Sequence, residues 1–63
     1  MIDLRKRREA ANMTQAKLSE LSGVSQQAIC MIERGERNPS AKTAKKLAAV
    51  LGFNWTKFFE DTK

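Results

Sequence analysis

Ser25, Gln26 and Gln27 stand side by side in the segment GVSQQAICMIERG, and all three carry uncharged hydrogen-bonding groups. A glutamine amide presents a donor and an acceptor in one plane, and a serine hydroxyl can act as either. That is chemistry for recognising the polar edge of a ligand. Catalysis has little to work with elsewhere: there is no histidine, no glycine-rich phosphate loop after a strand, and no pair of carboxylates that helical spacing brings together. One cysteine and no histidine exclude a disulfide framework and leave too few soft ligands for a structural zinc site. The chain is therefore expected to need neither metal nor cofactor and not to be an enzyme.

The elements that must position these side chains are short helices. Leu4, Arg8 and Ala11 recur at helical steps and predict a first helix over about Asp3 to Ala11, with Asn12 able to end it in the left-handed conformation. Thr14 can cap a second helix that ends near Ser22, with Leu18, Leu21 and Ser22 on its inner side and Gly23 as its exit. Ser25 is the next cap; Ala28, Ile29 and Ile32 follow at helical spacing until Gly35. The loop GERNPS leads to Ser40 and a fourth helix, whose inner stripe is Ala44, Leu47, Ala48 and Leu51 and whose Lys42, Lys45 and Lys46 face outward before Gly52. Asn54 can cap a last short helix, stapled by Phe53 and Phe58. No segment alternates at period two, which predicts an all-α chain, a compact bundle of five short helices.

Its size and charge set the class. With 63 residues the chain reads as a single domain over 1–63, close to the lower limit for a core without staples. The N-terminus lacks the apolar run of a signal peptide, and no apolar segment is long enough to span a bilayer, so a cytoplasmic location with no membrane is expected. Twelve Lys and Arg against seven Asp and Glu give a net charge of +5, which favours an anionic partner: nucleic acid or an acidic membrane surface.

The second and third helices, over about 14–34, are joined by a few residues with a glycine at the corner, a geometry that exposes the start of the later helix. Here the sequence resembles the helix-turn-helix domain of the phage repressor and Cro group, the XRE or lambda-repressor-like family. The resemblance is carried by Thr14-Gln15-Ala16-Lys17-Leu18-Ser19, Gly23-Val24-Ser25, Ile29, Ile32-Glu33-Arg34-Gly35, Arg37-Asn38-Pro39-Ser40 and Leu47-Ala48 to Leu51-Gly52. With Leu4-Arg5 and Arg8 ahead and Phe53 to Phe59 behind, it covers nearly the whole chain. It implies a transcriptional regulator of bacterial or phage type, a repressor by preference, that binds double-stranded DNA. In that family the third helix enters the major groove by its N-terminal end, a docking geometry well described for repressor and Cro.

The resemblance then gives the polar triplet a purpose. A glutamine amide matches the N6 and N7 edge of adenine, so Gln26 and Gln27 are expected to read bases, Ser25 to bond a base or phosphate, and Met31 to meet a thymine methyl. Cys30 reads as a small filler. Gln15 matches a family position that bonds phosphate, and Arg34, Arg37, Asn38 and Lys42 flank the loop where a second phosphate contact is implied. Arg8 and Glu33 match positions that pair internally and would fix where the third helix points, while the rest of the Arg5–Arg8 run is scattered around its helix as a solvated face.

A short recognition helix touches few base pairs, so the resemblance also implies a homodimer on a palindromic operator, for which Val50, Trp55, Phe58 and Phe59 are the candidate interface. Three positions depart from the family pattern: Ser19 replaces the usual Ala, Lys17 a frequent acidic residue, and Ala44 a larger Leu. Two other readings remain open on the residues alone. One is an antitoxin-type DNA-binding protein with a toxin partner; the other is a basic module for a membrane surface or protein partner that uses Trp55, Phe58 or Phe59.

Overall fold

The structure, a computed structural model, describes residues 3–59; Met1, Ile2 and residues 60–63, which the single-domain expectation includes, lie outside the described residues. Four α-helices follow in order: α1 (Leu4–Ala10), α2 (Gln15–Ser22), α3 (Gln26–Glu33) and α4 (Ala41–Leu51). The expected fifth helix, Trp55–Phe59, is a single 3-10 element. The Lys57 N–H donates to the Asn54 carbonyl three residues back at 3.0 Å, the tighter winding common in such short pieces.

Each α-helix starts on a short polar side chain that accepts from the backbone three residues on. Asp3 accepts from the Lys6 N–H at 3.1 Å, Thr14 from Lys17 at 3.0 Å, Ser25 from Ala28 at 3.1 Å and Ser40 from Thr43 at 3.1 Å. Each satisfies a donor that the helix leaves orphaned, worth about 1 kcal/mol. The ends are equally specific. After α3, Gly35 at φ 77° lets its N–H reach the Ile32 carbonyl at 3.1 Å and the Glu36 N–H reach Met31 at 2.9 Å, the paired closure that needs a left-handed residue.

The core is apolar and small. Leu18, Ile29 and Leu47 are fully enclosed, with Leu4, Val24, Ile32, Ala44 and Phe58 around them. Leu18 and Ile29 hold α2 against α3, so the orientation of the exposed side of α3 is set by packing beneath it. Phe53 and Phe58 meet at 5.4 Å between ring centroids across Asn54, whose Oδ1 accepts from the Thr56 N–H at 3.0 Å. Leu21, expected on the inner side of α2, is instead 50% exposed. It lies three residues beyond Leu18 at the last turn of α2, and Val24 from the following turn is part of the core. No helix among the described residues is long and apolar enough to cross a membrane.

Candidate functional site

The turn between α2 and α3 is built by two local bonds. Gly23 at φ 78° ends α2, and the Val24 N–H donates to Ser22 Oγ at 3.1 Å, which turns the buried Val24 inward and starts α3 at Ser25. Gln26 and Gln27 follow in the first turn, both exposed. With Cys30 and Met31 one turn on, Gln15 from α2, and Arg34 and Glu36 beyond the end of α3, they line one open depression. The structure thus brings together Gln15, Gln26, Gln27, Met31 and Arg34 from the residues singled out in the sequence. Ser25, a residue ahead of Gln26, is not among the residues that line it; its oxygen is committed to the cap, leaving the hydroxyl proton to donate.

Beneath this surface lies a charged cluster. Arg8 Nε donates to Glu33 Oε2 at 2.7 Å and Arg8 Nη2 to Glu33 Oε1 at 3.2 Å, while Nη1 donates to the Met13 carbonyl at 2.8 Å. The Arg8 and Glu33 side chains are 11% and 4% exposed. Hydrogen bonding to Glu33 holds the Arg8 pKa above its ordinary value, against burial, which pushes it down; the nearby charge of Glu33 adds to the rise. Gln15 Nε2 joins the cluster by donating to Glu33 Oε1 at 3.0 Å. Gln15 therefore belongs both to this recess and to the outer depression.

The other cations divide. Arg34 Nη2 is paired with Glu36 Oε2 at 2.9 Å, so its charge is partly offset before any ligand arrives. Arg37 and Asn38 lie apart from the depression, around a second recess with Ser40 and Thr43 at the start of α4, and Lys42 is exposed on the first turn of that helix. On α1, Arg5 pairs with Glu9 at 3.1 Å and Arg7 lies 4.6 Å over the Phe53 ring.

Two residues enter the depression that the sequence reading left out of the site. Cys30 lies four residues after Gln26, so helical spacing places it on the same side and could have found it. Glu36 follows the helix, where no periodicity operates. The candidate interface needs one correction: Phe58 is 2% exposed and spent in the core, because its ring completes the contact with Phe53. Val50 and Trp55 are half-buried against the same core, whereas Phe59 is 48% exposed and stands edge-on to Trp55 at 6.0 Å.

Comparison with known proteins agrees with this arrangement. The family model described as HTH_3, helix-turn-helix, matches residues 4–58. The chain is 40% identical over 58 residues to the uncharacterized HTH-type transcriptional regulator YqaF of Bacillus subtilis (strain 168), covering 92% of this chain and 76% of that one. It is 44% identical over 45 residues to an uncharacterized HTH-type transcriptional regulator of Haemophilus influenzae, covering 71% of this chain and 46% of that one. The crystal structure of an HTH_3 family transcriptional regulator from Vibrio cholerae superposes with a TM-score of 0.80 at 32% identity, over 90% of this chain and 32% of that one. The chain thus spans about a third of the Vibrio protein and about half of the Haemophilus one. With its four helices so arranged and the family model running from Leu4 to Phe58, the chain belongs to the HTH_3, XRE-type family of helix-turn-helix transcriptional regulators.

Proposed function

We propose that the chain binds double-stranded DNA sequence-specifically, with α3 in the major groove. The observation that carries this reading is the open depression at the start of α3, where Gln26 and Gln27 are exposed beside Met31 and backed by Gln15. Two adjacent planar amides suit adenine edges, and the polarizable Met31 suits a thymine methyl. Ser25 donates its remaining proton to a base or phosphate. Gln15, Arg37, Asn38 and Lys42 hold phosphates on either side, and Arg34 does so after exchanging Glu36 for the phosphate. The protein acts on DNA as a dimer, with Phe59 and Trp55 at the contact, and repression is the role that its resemblance to the phage repressors favours.

The test is selection of bound sites from random duplexes, followed by titration of the selected site at several salt concentrations beside lipid vesicles of acidic composition. The expected result is one enriched motif, bound with an affinity that falls linearly with salt on a log–log scale. Recovery of no motif, or binding to vesicles in preference to duplex, overturns the reading.

A further inference from the structure

We infer that Glu33 is a positioning residue for DNA recognition: it sets which way round the Gln15 amide is held at the edge of the depression. This rests on the DNA-reading assignment above and adds a role to a residue that touches no ligand. Glu33 Oε1 accepts from both Arg8 Nη2 at 3.2 Å and Gln15 Nε2 at 3.0 Å, while Oε2 accepts from Arg8 Nε at 2.7 Å. A carboxylate held by a guanidinium fork only accepts. Gln15 must therefore turn its nitrogen inward, which leaves its carbonyl oxygen and one N–H for whatever meets the outer surface.

An exposed glutamine presents its donor and acceptor in either order at little cost; beside Glu33 one order is enforced. The outward acceptor calls for a donor, either the amide of Gln26, which lines the same depression, or an exocyclic amino group on a base edge. The remaining N–H is left for a phosphate. The buried pair thus reaches the DNA-facing surface through a single hydrogen bond.

Glu33→Gln makes this testable with almost no change of shape. A glutamine at this position gives its carbonyl oxygen to Arg8 and its NH2 group to Gln15, which can meet it only by turning its own oxygen inward. The order of donor and acceptor on the surface is then reversed.

The experiment is a double-mutant cycle of Glu33→Gln and Gln15→Ala in the full chain, read as affinity for the selected duplex at a temperature where circular dichroism shows each variant folded. Glu33→Gln should weaken operator binding about tenfold, the loss of one well-placed hydrogen bond. With Ala already at position 15, the same change should alter affinity by less than about twofold. A residue that merely holds α3 in place would cost the same in both backgrounds, and that result overturns the inference while leaving DNA binding standing; failure of the parent to bind any duplex would instead remove the reading beneath it. Should Glu33→Gln not fold, the side-chain amide protons of Gln15 in the DNA-free parent decide. One of them exchanging slowly supports the inference, and both exchanging as fast as those of Gln26 and Gln27 overturns it.

Discussion

Arg8 and Glu33 are 25 positions apart in the chain, yet they meet at 2.7 Å and tie α1 to the last residue of α3. Both side chains are largely removed from solvent. Arg8→Ala leaves the Glu33 carboxylate without its cation and the Met13 carbonyl without this donor, a class of loss that costs on the order of 3–5 kcal/mol. At about 4–8 °C per kcal/mol for a chain of this size, the melting temperature should fall by more than about 10 °C. Arg8→Lys keeps the charge but not the fork and should fall between the two. The raised Arg8 pKa means that the stability gained from Arg8 protonation is fully present below the ordinary arginine value and is lost as pH rises through the raised one. Equal melting temperatures for Arg8→Ala and the parent would remove the pair from any account of stability.

Much of this architecture was legible in the sequence because its punctuation is chemically unambiguous. Thr14, Ser25 and Ser40 are cap residues by type, and each accepts the bond expected of it. Asn12, Gly23, Gly35 and Gly52 all adopt positive φ, as residues that can end helices. What spacing could not reveal was competition for the core. Leu21 has the periodicity of an inner residue but is half exposed, while Val24, beyond the end of α2, is buried, and Phe58, stapled to Phe53 as its spacing predicts, has no surface left for the candidate interface. The bond from Gln15 to Glu33 joins two helices at 18 positions' separation, and the Arg34–Glu36 pair depends on a loop; neither leaves a periodic trace.

The helix ends predict a graded response to substitution. Asn12 holds φ 59°, a conformation that costs most L-residues about 1–2 kcal/mol. Asn12→Gly should leave stability nearly unchanged, and Asn12→Val should lose an amount in that range. For Gly23 at φ 78°, an added Cβ would meet nothing within 4 Å, so Gly23→Ala should cost only the backbone strain of about 1–2 kcal/mol. Urea denaturation measures all three, and a Gly23→Ala loss several times larger would mean that the turn is crowded after all.

Arg34, at the depression, and Arg37, at the recess beside the start of α4, should separate in their salt dependence. If Arg37 holds a phosphate as proposed, Arg37→Ala should make the log–log salt slope shallower by about one unit, equally for selected and random duplexes. Arg34 behaves differently because Glu36 already holds it at 2.9 Å. Glu36→Gln should therefore raise affinity for every duplex by releasing that charge. A changed sequence preference in Arg37→Ala, or weaker binding by Glu36→Gln, would contradict these assignments.

Base reading and assembly can be separated in one titration. Phe59 is 48% exposed, with Trp55 edge-on beside it and Lys45 Nζ 5.0 Å over the Trp55 ring, so the apolar surface left for a second copy is small. Patches of that size give weak association, which a two-fold operator would strengthen by holding two copies side by side. Phe59→Ser should therefore weaken binding to a palindromic duplex while leaving a single half-site unaffected. Gln27→Ala should do the reverse in kind, costing about 1–3 kcal/mol per half-site at its own base pair on either duplex and sparing random DNA. Analytical ultracentrifugation of the parent and both variants on the two duplexes reads the stoichiometry directly. If one copy saturates the palindrome, the dimeric reading falls; if Phe59→Ser weakens the half-site as much as the palindrome, Phe59 contributes to folding or to DNA contact and a second copy is joined elsewhere.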